Sequence, residues 1–185
     1  MGRTRSAALD GARRVLTECG LRKATMGDVA VRGGLAKATL YNHFRTKDEL
    51  VSALIAEDVS ELGTDCRDLA HDDLAVALTR AADAVATNPV LVGLRLVEPA
   101  ALLGAAAPGA GARWDLVRAE LAFVLDAGER SPAPENLDLV CRWVASFVLE
   151  PGTSDSRAAA ARVLAHGLPA AIRTTTFASP TLKGP

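Results

Sequence analysis

The sequence predicts an all-helical protein. Only 4% of the residues are aromatic and Tyr occurs once, while Ala dominates an apolar fraction of 49%. Ala loses least on entering a helix, whereas β-branched and aromatic residues favour strands. Apolar positions also recur at helical spacing, and clusters of Pro, Gly, Asn and Ser separate the segments.

In residues 6–19, Leu9, Ala12, Leu16 and Cys19 fall on one helical face, and Gly20 stands where a C-terminal cap belongs. Thr25 opens Thr-Met-Gly-Asp, a hydroxyl cap with a carboxylate three residues on. It satisfies the first free amides of a second helix over residues 26–32. Gly33 and Gly34 can both take the positive φ of a tight turn, after which the chain resumes at Leu35 and a third short helix covers 37–44. Thr46-Lys47-Asp48-Glu49 is a second capping box. It starts a longer helix that turns Leu50, Val51, Leu54, Ile55, Val59 and Leu62 inward and ends at Leu62 or a little beyond. Helices are expected downstream over 73–87, 89–103, 113–127, 135–149 and 154–172, about nine in all. Pro99 and Pro169 must end or kink theirs, because each lacks an amide donor and crowds the preceding turn. Residues 174–185 read as a frayed, disordered tail.

The 185 residues suit one domain or two small ones, and their net charge of −1 hides an asymmetry. Residues 1–50 hold ten Lys or Arg against five acids; residues 51–185 hold eleven against seventeen. A basic head on an acidic body often marks a nucleic-acid-binding end, though an Arg-rich solvated helix surface has the same composition. The longest uncharged stretch, 99–112, is shorter than the ~20 residues of a membrane helix and contains Pro108. The N-terminus lacks an apolar h-region, and the three cysteines (Cys19, Cys66, Cys141) are widely spaced, so a reduced, cytoplasmic chain is expected. The histidines His43, His71 and His166 stand in no HExxH, CxxC or GxSxG context. No catalysis, metal or cofactor is expected, and His71-Asp72-Asp73 reads as a helix start.

The second helix, the glycine turn and the third helix form a candidate helix-turn-helix. Val29, Ala30, Leu35, Leu40 and Phe44 can pack inward. That leaves Lys37, Thr39, Tyr41, Asn42 and His43 outside, a mixture of donors, acceptors and one amphipathic ring suited to phosphates and base edges. The stretch TMGDVAVRGGLAKATLYNHFRTKDELV, Thr25 to Val51, resembles the TetR family of transcriptional regulators. The family has a Thr, an apolar-Ala pair, a Gly turn, Thr-Leu-Tyr-x-His-Phe, then Lys and Leu. The resemblance covers the first four helices; the rest of the chain matches only in length and helical pattern. Two positions depart from it: Ala36 replaces a Ser or Thr cap, at a cost of about 1 kcal/mol, and Gly27 weakens the second helix by up to ~1 kcal/mol.

The resemblance implies that Thr25 holds a backbone phosphate and that Lys37, Ala38 and Thr39 face bases. It further implies that Tyr41 and His43 touch the sugar-phosphate backbone, that Lys47 clamps another phosphate, and that Arg3 and Arg5 form a flexible arm. For Tyr41 the alternative is a partly buried ring; for His43, a cover over Phe44. The domains implied are a helix-turn-helix head over residues 1–47 and a regulatory and dimerisation body over 48–173.

Within the body, residues 135–149 are apolar nearly all round, so that helix needs burial on both sides. A dimer seam of Leu137, Val140, Cys141, Val144, Phe147 and Val148, with Ala161, Leu164, Leu168 and Ile172 alongside, would supply it, as would a monomer with a central helix. The seam resembles the family's four-helix dimer interface. Two-fold symmetry would then place two reading helices in successive major grooves of a palindromic duplex. The family's body also holds an inducer pocket, which here implies a modest, apolar small-molecule effector. Arg95, Glu98 and Leu102 could face such a cavity, Arg95 and Glu98 alternatively forming an i, i+3 surface pair; Trp114 and Phe123 could line it or fill the core. The function implied is a homodimeric, DNA-binding repressor released from its operator by that effector. The competing reading is a protein-protein adaptor that keeps the fold and reads no DNA.

Overall fold

The computed structural model describes residues 2–109 and 111–171, and these form ten α-helices without a named strand. They are α1 (Gly2–Lys23), α2 (Met26–Arg32), α3 (Lys37–His43), α4 (Lys47–Asp72), α5 (Leu74–Thr87), α6 (Pro89–Val97), α7 (Pro99–Ala106), α8 (Ala112–Ala127), α9 (Pro134–Leu149) and α10 (Ser154–Gly167). No described helix is long and apolar enough to cross a membrane. The expected tail and Ile172 lie outside the described residues.

Most boundaries follow local chemistry. Thr25 Oγ1 accepts the Asp28 N–H, Thr46 the Glu49 N–H, Asp73 the Ala75 N–H, and Asn88 those of Val90 and Leu91. Each places a side-chain acceptor on an amide that the helix cannot satisfy. Pro99 divides the expected 89–103 helix, which accounts for the tenth: α6 closes with the Glu98 N–H on Leu94 O, and α7 begins at the proline. The last helix ends at Gly167, short of the expected 172, where Ala170 pairs with Arg130 in an isolated antiparallel bridge.

One expected boundary moves by more than two turns. α4 continues past Leu62 to Asp72 because Gly63 is buried against Glu120 of α8, while Cys66 and Ala70 carry the buried face onward. Packing along α8 outweighs the ~1 kcal/mol that a mid-helix glycine costs.

Two cores result. The head core gathers Leu9, Ala12, Val15, Leu16, Val29, Ala30, Leu40, Phe44, Leu50 and Leu54. The larger body core gathers α4, α5, α8, α9 and α10 around Leu78, Leu125, Val140, Cys141 and Ala161. Most of the residues expected at a dimer seam pack within the single chain. Val140, Cys141, Val144, Ala161 and Leu168 are buried in the body core of a single chain, with Leu137 and Leu164 packed against it. Phe147 packs on Ala82 and Ala86, and Val148 on Leu94 and Leu102. α9 runs between α5, α7 and α8, so its own chain covers most, but not all, of the apolar circumference. The outer faces of α9 and α10 keep Leu139, Leu149 and Val163 exposed.

Candidate nucleic-acid interface and the cavity behind it

The head is held together by close backbone approach. A Cβ on Gly11 of α1 would fall 2.6 Å from Val29 O, and one on Gly33 would fall 2.6 Å from Ala7 O. Only glycine fits at either point. Of the two turn glycines, Gly34 alone takes a positive φ, 63°; Gly33 serves proximity instead. Leu40 and Phe44 are fully buried and fix which side of α3 faces out.

The outward side carries the expected residues. Lys37, Ala38, Tyr41 and Asn42 are exposed, and Thr39 and His43 half-buried. Tyr41 is 48% exposed, so its ring is partly buried and partly open to a partner. The His43 ring lies 6.5 Å from that of Phe44, so it covers the core edge while its polar rim stays accessible. Thr25 Oγ1 donates to Asp28 Oδ2 at 2.6 Å. Gly27 acquires a role its sequence position did not suggest: a Cβ there would lie 3.0 Å from Lys37 Cε and 3.5 Å from Thr25 Oγ1. The missing side chain is what lets Lys37 lie beside Thr25. Ala36 supplies no side-chain cap, so the first amides of α3 have no side-chain acceptor there.

Lys47 and Arg5 make contacts within the head that the sequence did not reveal. Lys47 Nζ donates to Leu21 O at 2.8 Å and to Ala24 O at 3.1 Å, tying α4 to the α1–α2 connection. An ammonium has a third donor left for a phosphate. Arg3 and Arg5 lie in the first turns of α1, so the described arm is helical, and the Arg5 guanidinium sits 5.1 Å from the Phe44 ring centroid. Of the ten Lys and Arg in residues 1–50, only Arg13 and Arg32 form ion pairs among the described residues. The other eight form no ion pair among the described residues, although Arg5, Arg14 and Lys47 make other contacts within the head.

Behind the head lies a cavity of about 790 Å³, walled by α1, α4, α5, α6, α7, α8 and α9. Its lining is mostly aliphatic, including Leu54, Ile55, Leu91, Leu94, Val117 and Val144, with Glu61, Asp65, Arg80 and Arg113 among the charged wall residues, and Trp114 is its one aromatic among the described residues. The buried Trp114 Nε1–H finds no acceptor among the described residues. Arg13 stands on the wall with its guanidinium shared among Asp10, Glu57 and Asp58. Partial burial opposes its charge, but the hydrogen bonds and attraction of Asp58 and Glu57 outweigh burial and raise its pKa.

Leu102 and Trp114 are wall residues as expected; Arg95, Glu98 and Phe123 are not. The Arg95 guanidinium donates to Val148 O and Ala86 O, both at 2.9 Å, to Phe147 O at 2.6 Å and to Val85 O at 3.4 Å. It thereby caps the C-terminal ends of α5 and α9, and burial without a carboxylate partner lowers its pKa. Glu98 does not pair with Arg95 either: its Oε2 accepts the Arg22 N–H at 2.8 Å. Phe123 is exposed beneath the Arg67 guanidinium, 5.5 Å from ring centroid to Cζ.

A glycine-tightened three-helix head and an outward α3 with mixed donors and acceptors form a helix-turn-helix, the kind of head suited to nucleic acid, on a helical body. Comparison with known proteins agrees. Residues 8–54 match the family model for bacterial regulatory proteins, tetR family. The HTH-type transcriptional repressor Rv1474c of Mycobacterium tuberculosis is 40% identical over 58 residues, which is 31% of this chain and 31% of that relative. Among solved structures, the TetR family repressor AlkX from Dietzia superposes with a TM-score of 0.65 at 19% identity, covering 88% of this chain and 93% of that one. The fatty acid degradation regulator FadR from Bacillus halodurans gives 0.58 at 16% identity, covering 92% and 99%. The head of the chain, over residues 8–54, is thus similar to that of the tetR family of bacterial regulatory proteins, and the chain spans about a third of the length of the curated relative it matches.

Proposed function

We propose that the chain is a DNA-binding transcriptional repressor whose head, residues 1–47, reads a duplex and whose body, residues 48–173, takes an effector and dimerises. The observation that carries the reading is an outward α3 with exposed Lys37, Tyr41 and Asn42 and half-buried Thr39, in a head where eight of ten Lys and Arg form no ion pair among the described residues. Thr25, Lys37 and Lys47 are the phosphate contacts, together with Tyr41 and His43; Lys37, Ala38, Thr39 and Asn42 reach base edges. An adaptor that ignores DNA has no use for that surface. The chain acts in the cytoplasm and catalyses no reaction.

The effector is a small, mostly aliphatic molecule, in keeping with the cavity's volume and lining. With the expected seam residues committed to the core, homodimerisation falls to the outer faces of α9 and α10, where Leu139, Leu149 and Val163 are exposed. The dimer reads a palindromic operator. An effector releases it only to the extent that it binds the non-reading arrangement more tightly.

The test is fluorescence anisotropy with duplexes selected from random sequence by the chain itself, across a salt series. Lys47→Ala should weaken binding about tenfold or more for every sequence and flatten the salt slope by about one. Lys37→Ala or Thr39→Ala should instead relax preference at defined base pairs, by about 1–3 kcal/mol. Absence of any selected duplex at low salt would sink the reading.

A further inference from the structure

We propose that Glu98 is a positioning residue through which occupancy of the body cavity reaches the reading head; this rests on the reading of that cavity as the effector site. Glu98 stands in the break between α6 and α7, at φ −152° and ψ 58°. Its carboxylate crosses to the head and accepts the backbone N–H of Arg22 at 2.8 Å. The contact depends on Gly20, which breaks α1 at φ 79° and leaves room for it: a Cβ on Gly20 would sit 2.8 Å from that same Glu98 Oε2 and 3.1 Å from Val97 Cγ2.

The segment it grips is consequential. Residues 20–24, the last turn of α1 beyond its break at Gly20 and the residue after it, lead to Thr25, the N-cap of α2, which lies near Lys37 beside Gly27. The same segment is held by its carbonyls through Lys47, on Leu21 O and Ala24 O. Body and α4 thus clasp the connection between them, Glu98 on an amide and Lys47 on two carbonyls. Loss of either grip frees the start of α2 to shift, and with it the residues assigned to phosphate.

Glu98 is also placed to sense the cavity. Leu91 and Leu94 of α6 and Ala101 and Leu102 of α7 are wall residues on either side of it. The α6 side is fixed to the body, because Arg95 is bonded to carbonyls of α5 and α9. The α7 side begins at Pro99, which cannot continue the α6 hydrogen-bond ladder. Filling the cavity therefore swings α7 about the corner at Glu98 and draws the carboxylate off Arg22.

A double-mutant cycle tests this without knowledge of the effector, by filling the cavity with a side chain. Affinity for the selected duplex is measured for the wild-type chain, Ala101→Leu, Glu98→Ala and the double variant, with Ala84→Leu on the opposite wall as a second filler and thermal midpoints recorded for each. Glu98→Ala is expected to weaken binding about fivefold, and Glu98→Gln, whose amide oxygen can still accept the Arg22 N–H, to stay within about twofold of wild type. Each folded filler is expected to weaken the wild-type chain about fivefold and the Glu98→Ala chain less than about twofold. Equal filler effects in both backgrounds, or an unaltered affinity in Glu98→Ala, would overturn the assignment of Glu98 and leave the DNA-binding reading standing. Fillers without effect in any background would overturn both the effector-site reading and the assignment, and a wild-type chain that selects no duplex would remove the repressor reading itself.

Discussion

The head and the body use small residues to opposite ends. In the head, Gly11 and Gly33 remove side chains so that backbones can touch, and nothing is left over: a single added carbon would meet a carbonyl at 2.6 Å. In the body, Gly63 and Gly93 also permit close approach, but Ala84, Ala101 and Ala145 line a cavity of about 790 Å³. Smallness fixes one geometry in the first region and leaves volume in the second. A reader of DNA needs the former, because a shifted helix loses its base edges; a receiver of small molecules needs the latter.

The largest effect that would sharpen this contrast comes from truncating the two cores. Phe44→Ala, at a fully buried head position, should cost about 3–5 kcal/mol and abolish duplex binding, as read by chemical denaturation and anisotropy. Leu9→Ala in the head should fall near the upper end of the 2–5 kcal/mol range for such changes, and Leu94→Ala near the lower end. Leu94 already borders empty space, so its removal forfeits fewer contacts. Equal costs would break the comparison. Next in size, Gly11→Ala should destabilise by about 1–3 kcal/mol through overpacking. Gly104→Ala, with nothing within 4 Å of its Cβ, should stabilise by up to ~1 kcal/mol. Thermal midpoints moving in the same direction for both would contradict the contrast. Arg157→Met, which removes the bond to Asp83 at 2.5 Å that joins α10 to α5, should cost about 2 kcal/mol and leave the head's duplex affinity unaltered.

The smallest effect is one of pH and reactivity. Burial pushes the thiols of Cys66 and Cys141 from 9.0 up to about 11, with minor opposing contributions from Arg80 and Arg118 respectively. Below pH 9 both are protonated whether folded or unfolded, so their contribution to stability is complete there. Above it the unfolded chain ionises first, and stability falls as pH rises through about 11. Titration of the native chain with a thiol reagent near pH 8 should therefore modify Cys19 alone, and all three thiols only in denaturant.

The sequence disclosed structure wherever local chemistry decided it. The limits of α2 and the start of α4 were legible because Thr25 and Thr46 cap amides within three residues of themselves. Distant partners decided the rest. The end of α4 depends on Glu120 of α8, and the burial of α9 on three helices of its own chain, so an all-round apolar pattern could call for cover without naming its source. Arg95 reads as a surface charge in any local window, yet its acceptors lie on α5 and α9. Gly11 reads as a weak helix former until Val29 O is placed above it. In the candidate interface, α3 was readable because the motif is contiguous, while the Lys47 contacts and the Glu98 grip join residues 23 to 76 positions apart.

Ala36 leaves the opening turn of the reading helix without an internal acceptor. On the proposed reading of a DNA duplex, phosphate oxygens would supply the acceptors that Ala36 lacks, so docking would also order this turn. Amide exchange at Ala38 and Thr39 should accordingly be fast in the unliganded chain and slow sharply on DNA. An Ala36→Ser chain should already be slow, and should hold mismatched duplexes longer than its parent does.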